Sequence, residues 1–201
     1  VVSTGKSEFG RAKIKMIKTI EDAYAFVHRV KICTIFAQKT VHSSLWENVD
    51  LPDRQSWEKG RGQKVTAVWT WKNKLPALYP DEIFYGKIRG GHAVLMEMNY
   101  LRKEHFLKAY QPVENLSRLA QFTYEQVRLE PGETGAHRNL AISEYGATKS
   151  QFDTALKELQ ISLNVVRSNG LHVVRDTWVT FEELYPEIWD QHVTDVDSNG
   201  Y

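Results

Sequence analysis

A single cysteine, no long apolar run and almost no net charge set the first limits on this 201-residue chain. With Cys33 alone, neither an intrachain disulfide nor a cysteine-rich zinc site can form, and a reducing cytoplasm is the expected compartment. The run ICTIFA around Cys33 is apolar, so its thiol is expected in a core and not in catalysis. No stretch approaches the roughly 18 apolar residues of a membrane span. The basic segment VVSTGKSEFGRAKIKMIK has no apolar centre and does not read as a secretory signal. The histidines His28, His42, His92, His105, His137, His172 and His192 form no H-x-x-x-H or H-E-x-x-H pair, so neither a metal nor a cofactor is expected. GRGQK at 60–64 lacks the spacing of a phosphate loop. No internal repeat or low-complexity tract is visible.

What is present is a charge asymmetry hidden by the net value of +1. Residues 1–20 hold five bases and one acid, hence +4, and residues 54–110 hold eleven bases and five acids, hence +6. Residues 176–201 hold seven acids and no base, hence −7. A basic body with an acidic tail is consistent with a surface for a polyanion, and the tail is either a solvated end or a screen for that surface.

From Leu116 to Phe181 the chain reads as a winged helix-turn-helix. An amphipathic run, LSRLAQFTYEQVRLE, breaks at Pro131-Gly132. A second run ends at Gly146, where a left-handed turn residue is expected. Thr148 then caps a third helix whose Phe152, Ala155, Leu156, Leu159 and Leu163 share one face. NVVRS and HVVRDTWVTF follow as strands joined by Asn169-Gly170, a favoured type I′ turn. The fold class is therefore α+β, a winged helix preceded by a smaller mixed α/β region. The expected organisation is a flexible basic segment over 1–18, the mixed region over 19–111, the winged helix with a C-terminal helix over 112–192, and a flexible acidic tail over 193–201.

The polar face of the third helix shows Lys149, Ser150, Gln151, Asp153, Thr154 and Lys157. Lysine, serine, glutamine and threonine meet phosphates and base edges, whereas Asp153 and Glu158 oppose a polyanion. Arg167, His172 and Arg175 on the hairpin are placed to reach a phosphate. Lys72, Lys87 and Arg89 are the cations of the first half assigned to the same surface.

In the first half, Thr19 to Asp22 is a capping box that opens the helix TIEDAYAFVHRV. EIFYGKI and HAVLMEM flank Arg89-Gly90-Gly91 as a hairpin. NYLRKEHFLKAYQ is an amphipathic helix ended by Pro112. VTAVWTWKNKL is ambiguous. Read as a strand, it puts Trp69 and Trp71 on one face as a stacking wall, with Glu97 as an acid, the parts that chemistry on an extruded base requires. Read as core, the two tryptophans are buried.

The order FVHRVKICTIFA, SSLWENV, WTWKNKL, FYGKIRGGHAVLMEM, SQFDTALKELQISLNVV and FEELYPEIWDQH resembles the AlkZ-related proteins, small relatives of the AlkZ/YcaQ winged-helix DNA glycosylases. The resemblance covers roughly residues 19 to 192. The larger glycosylases that the chain resembles are built from tandem winged helices that together clasp DNA, and they remove alkylated bases or unhook interstrand crosslinks with a Gln-apolar-Gln or Gln-apolar-Asp motif that positions a water. Gln151-Phe152-Asp153 is a literal match to that motif. In the family, however, the motif lies near the N-terminal part, and residues at i and i+2 of a helix do not converge. The early region Ala37-Gln38-Lys39-Thr40 has a glutamine without its partner. The catalytic candidates are therefore Gln38, Glu97 and Asp153.

Three readings follow. The leading one is a double-stranded DNA-binding module of this group, with a place in DNA repair and no glycosylase activity of its own. The alternatives are a small glycosylase acting on alkylated bases and a winged-helix subunit that contacts a protein partner.

Overall fold

The computed structural model describes residues 16–55, 59–170 and 175–194. Residues 195–201 of the tail, most of the basic N-terminal segment, and His172 with the start of the expected second hairpin strand lie outside those residues.

The first part runs α1 (Ile20–Val30), β1 (Ile32–Thr34), β2 (Ser43–Ser44), α2 (Leu45–Asn48), α3 (Gln63–Leu78), β3 (Ile83–Ile88) and β4 (His92–Glu97). A connector follows: α4 (Met98–Tyr100), a π-helical turn Leu101–His105, and α5 (Phe106–Ala109). The second part runs α6 (Arg118–Leu129), β5 (Gly132–Glu133), α7 (Thr134–Ser143), α8 (Lys149–Ile161), β6 (Val165–Arg167) and β7 (Thr177–Thr180). It closes with α9 (Phe181–Leu184), α10 (Pro186–Trp189) and a π-helical turn Asp190–Thr194. This is the mixed α and β composition of an α+β fold.

The two parts have the same plan. Each runs helix, strand, helix, helix, strand, strand, and in each sheet the last strand lies between the first and the penultimate one, in the orders β1-β4-β3 and β5-β7-β6. All of these pairings are antiparallel, and β2 adds a parallel edge to the first sheet. The likeness reaches individual positions. Thr19 and Ser117 cap α1 and α6 through the backbone N–H three residues on. The buried face of α3 is Val68, Trp71, Lys72, Leu75 and Pro76; that of α8 is Phe152, Ala155, Leu156, Leu159 and Gln160, with identical spacing. Each final strand turns straight into a helix with its own last residue as N-cap, Glu97 accepting from Tyr100 N and Thr180 from Glu183 N. The chain thus contains a structural repeat where the sequence shows none. The equivalent positions share burial and spacing, while their side chains differ (Val/Phe, Trp/Ala, Lys/Leu).

Among the described residues three apolar clusters hold the fold together. One joins α1, α2 and α3 to the Ile83, Tyr85, Cys33 and Leu95 face of the first sheet. Another lies inside the second unit around Ala120, Val127, Phe152, Leu159 and Trp178. The third lies between the units, where Ile32, Phe84, Val94 and Met96 meet Leu101, Phe106, Leu163, Val166 and Phe181. Side chains alternate along a strand, so the first sheet is covered on both faces.

Three expectations are corrected. Residues 63–78 form one helix, so Trp69 and Trp71 cannot share a face: Trp71 is buried and Trp69 is 42% exposed. Leu163 is not on the α8 face. It follows the helix with φ +57°, and Asn164 N donates to Leu159 O at 3.0 Å, the left-handed closure that usually takes glycine. Leu163 offsets that strain by burying its side chain in the inter-unit cluster. Finally, Asn169-Gly170 does not close a two-residue hairpin. Arg167 pairs with Trp178 and Ser168 N donates to Thr177 O at 2.8 Å, a register in which Asn169 and Gly170 alone cannot join the two strands. The expected hairpin at Arg89-Gly90-Gly91 does form, with Ile88 opposite His92.

Candidate nucleic-acid interface

The N-terminus of α8 is fixed by a capping box. Thr148 Oγ1 accepts from Gln151 N, and the Gln151 side chain accepts from Thr148 N at 2.8 Å. Phe152 points into the core and Asp153 is held by Arg138 at 2.8 Å. Gln151, Phe152 and Asp153 therefore serve a cap, a core and an ion pair, and do not converge on one point.

Lys149, Ser150, Gln151, Thr154 and Lys157 are all exposed. Ser150, Gln151 and Thr154 line a groove of about 460 Å³ shared with Ser117, Arg118 and Tyr145. The two acids that oppose a polyanion are both engaged by the protein itself. Asp153 binds Arg138, and Glu158 accepts from Ser117 N at 3.0 Å and from Ser117 Oγ at 2.5 Å. Lys149 and Lys157 form no ion pair among the described residues; Arg138 offsets the charge of Asp153, while Glu158 keeps its charge and directs it to Ser117. The Lys157 stem lies against the first unit's hairpin: a Cβ on Gly91, at φ +80°, would come within 2.9 Å of Lys157 Cδ. The positive φ favours glycine there, and a larger residue would also push the Lys157 stem aside. The same contact brings Lys87 near Lys157, and burial together with Lys157 lowers the Lys87 pKa.

Behind this face is a buried cationic knot. Arg167 is 7% exposed and crosses from β6 to the first unit. Its Nη1 donates to Asn73 Oδ1 at 2.6 Å, its Nη2 donates to the Lys72 carbonyl at 3.3 Å, and its guanidinium lies 4.1 Å from the Tyr85 ring centroid. Asp176 pairs with it at 3.4 Å. Lys72 is 6% exposed, its ammonium 4.4 Å from the Trp69 ring centroid and 5.0 Å from that of Tyr85. Burial, and then Arg167, bring the Lys72 pKa down to about 8. The sequence signal for its burial was its spacing from Val68, Trp71 and Leu75; its residue type masked that signal.

The other candidates are separated. Arg175 pairs with Glu133 at 3.0 Å, and Arg89 lines a cavity between the units. Gln38 is exposed beside Lys39, Glu47 and His92 in a shallow pocket. Glu97 is a buried cap. Burial pushes its carboxyl up, but hydrogen bonds from Asn99 and Tyr100 N, with Lys31 and His28 nearby, outweigh that and hold it below its usual value. Gln38, Glu97 and Asp153 share no hydrogen bond among the described residues. Cys33 is buried, and its thiol is pushed up to about 12 by burial. Among the described residues no group of three histidine, cysteine or acidic side chains is placed to hold a metal, and no helix is long and apolar enough to cross a membrane.

An α+β chain of two like units, with one cationic helix face left open, is the class this geometry defines. The chain belongs to the AlkZ-related family, whose model matches residues 17–172. Comparison with curated proteins gives no match, and comparison with solved structures gives none.

Proposed function

We propose that the protein is a tandem winged-helix module that binds double-stranded DNA, in a repair setting, through the open face of α8. The helix, strand, helix, helix, strand, strand order of each unit is that of a winged helix, and α8 stands where such a unit carries its groove-facing helix. The observation that carries the reading is the pairing pattern on α8. Both acids are tied to protein partners while Lys149 and Lys157 form no ion pair among the described residues, with Lys87 beside them. Ser150, Gln151 and Thr154 supply hydrogen-bonding groups between these cations. Binding through them is largely electrostatic, because each neutralised phosphate releases counterions. Arg167 ties the second unit to the first through Asn73, the Lys72 carbonyl and the Tyr85 ring, and Trp69, exposed on α3, offers a surface for stacking.

Base excision is not part of this reading. Cleaving an N-glycosidic bond needs polar groups converging on a water and on the sugar. Gln151 and Asp153 are committed elsewhere, and Glu97 is a saturated cap.

A duplex titration across salt concentrations tests the reading. With Lys149, Lys157 and Lys87 each meeting a phosphate, log affinity should fall against log salt with a slope of about −3. Affinity no better than millimolar at low salt would replace DNA by a protein partner. Release of an alkylated base, abolished by changing Gln38, Glu97 or Asp153, would establish the small glycosylase instead.

A further inference from the structure

Between the two units, away from the polar face of α8, lies a cavity of about 660 Å³. That volume falls within the range of small-molecule sites, which occur preferentially where two units meet. Its apolar lining is Ile32 and Ile88 from the first sheet, Ala109 from α5 and Ile161 from the end of α8, with the exposed Val41 at its edge. Its ionisable lining apart from Tyr100 is basic: Arg89, Lys108, His42 and His105. Lys108 is paired with Glu104 at 2.9 Å, and Glu104 does not line the cavity. Arg89 has no ion pair among the described residues.

His105 closes the π-helical turn, in which Phe106 N donates to Leu101 O. Such a turn inserts a residue into a helix, re-aims the side chains after it, and recurs at functional sites. The His105 Nε2 atom is buried and has no hydrogen-bond partner among the described residues. Burial, His42 and Lys108 lower the His105 pKa to about 4, so the ring is neutral near pH 7. A buried nitrogen left without a partner is destabilising, and a bound group that hydrogen-bonds it recovers that cost. Thr40, Tyr100 and Gln111 complete the rim with hydroxyl and amide groups.

We propose that this inter-unit cavity binds a small organic anion, a carboxylate or phosphate carried on an apolar body. Arg89 holds the anionic group and His105 hydrogen-bonds the ligand through the nitrogen that now lacks a partner. The isoleucine walls take the apolar body. None of the residues Lys149 to Lys157 lines the cavity, so the inference stands independently of the DNA-binding reading.

The test is a titration of the intact chain with two probe pairs: deoxyadenosine monophosphate against deoxyadenosine, and indole-3-acetate against its amide. At least one charged probe should bind tenfold or more tighter than its neutral partner and shift the ring resonances of His42 and His105. Arg89→Gln should remove that advantage while duplex affinity stays within twofold. Ala109→Leu, which fills the cavity without changing its charge, should weaken binding of both members of the pair. Equal affinity of charged and neutral probes overturns the proposal. So does an advantage that survives Arg89→Gln, or perturbation confined to Lys149–Lys157. Displacement of the probe by a short duplex also overturns it, because the anion would then belong to a nucleic acid. Resonance mapping on the unaltered chain decides the matter if a variant fails to fold.

Discussion

On the buried face of α3 the first unit carries Lys72 where the second unit's α8 carries Leu156. The surrounding spacing is the same, but the consequences differ. Leu156 packs in an apolar core and leaves the lysines of α8 exposed on the opposite face. Lys72 brings a charge under the surface, where two aromatic rings face it and Arg167 adds a second positive charge. Lys64, also on α3, lies 4.8 Å from the Trp46 ring centroid. Equivalent helices in a repeated plan can thus divide the work. The cations of α3 are largely turned inward on rings and those of α8 outward, and α8 is the helix left available to a polyanion.

The comparison can be broken most severely at Arg167. Replacing it with methionine removes bonds to Asn73 and the Lys72 carbonyl and its stacking on Tyr85. Asp176 is half exposed and regains water, which limits the loss. The expected destabilisation is about 3 kcal/mol by chemical denaturation. The Lys72 pKa should rise at the same time, because Arg167 is its second depressing influence after burial. An unchanged Lys72 titration by NMR would show that the two groups are not coupled.

Acid should act next, and more on the cores than on the open face. The folded pKa of His105 lies near 4, below its ordinary 6.5, because of burial, His42 and Lys108. The unfolded chain therefore takes up this proton first. The stability contribution is complete above pH 6.5 and is lost as pH falls from 6.5 to 4, by about 2 kcal/mol. His137, buried on α7, is shifted down mainly by burial and adds in the same direction. His105→Asn should flatten this stretch of the stability curve.

A smaller change sharpens the repeat itself. Lys72→Met gives α3 the kind of side chain that α8 has. The folded pKa near 8 lies below the ordinary 10.5, so charging Lys72 costs the folded state, fully so below pH 8 and not at all above 10.5. Part of that cost is already offset by the two rings. The variant should gain about 1–2 kcal/mol at pH 7, and the gain should vanish toward pH 10.5. Loss of stability at pH 7 would mean that the ammonium is needed where it lies. The smallest effect belongs to Arg175→Ala. Its pair with Glu133 is on the surface, and its removal should cost under about 1 kcal/mol, less in high salt.

Much of the second unit was legible in the sequence. The helix α8 had a capping threonine, a glutamine three residues on and four apolar residues in phase, and α6 had the same kind of signal from Ser117 onward. The helix α3 was not legible, because Lys72 interrupts its apolar face and Pro76 sits inside it. The pairing register of β6 was missed for a local reason. Asn169-Gly170 favours a tight turn, but Val165 pairs with Thr180 and that register prevails. At the candidate site the sequence supplied the cations, including Lys149 and Lys157, but not their partners. Asp153 and Glu158 counted against α8 in a charge sum, and only the positions of Arg138 and Ser117 show that both acids are occupied. Arg167 read as a surface cation because nothing in a linear pattern reveals that β6 lies beside β3.

The most direct measurement compares the salt dependence of duplex binding for two double variants, Lys149→Ala with Lys157→Ala on α8, and Lys64→Ala with Lys74→Ala on α3. If α8 carries the contact, the first pair lowers the magnitude of the log–log slope by about two and the second by less than about half a unit. An unchanged slope for the α8 pair with a clear loss for the α3 pair would contradict the account and move the interface to the first unit.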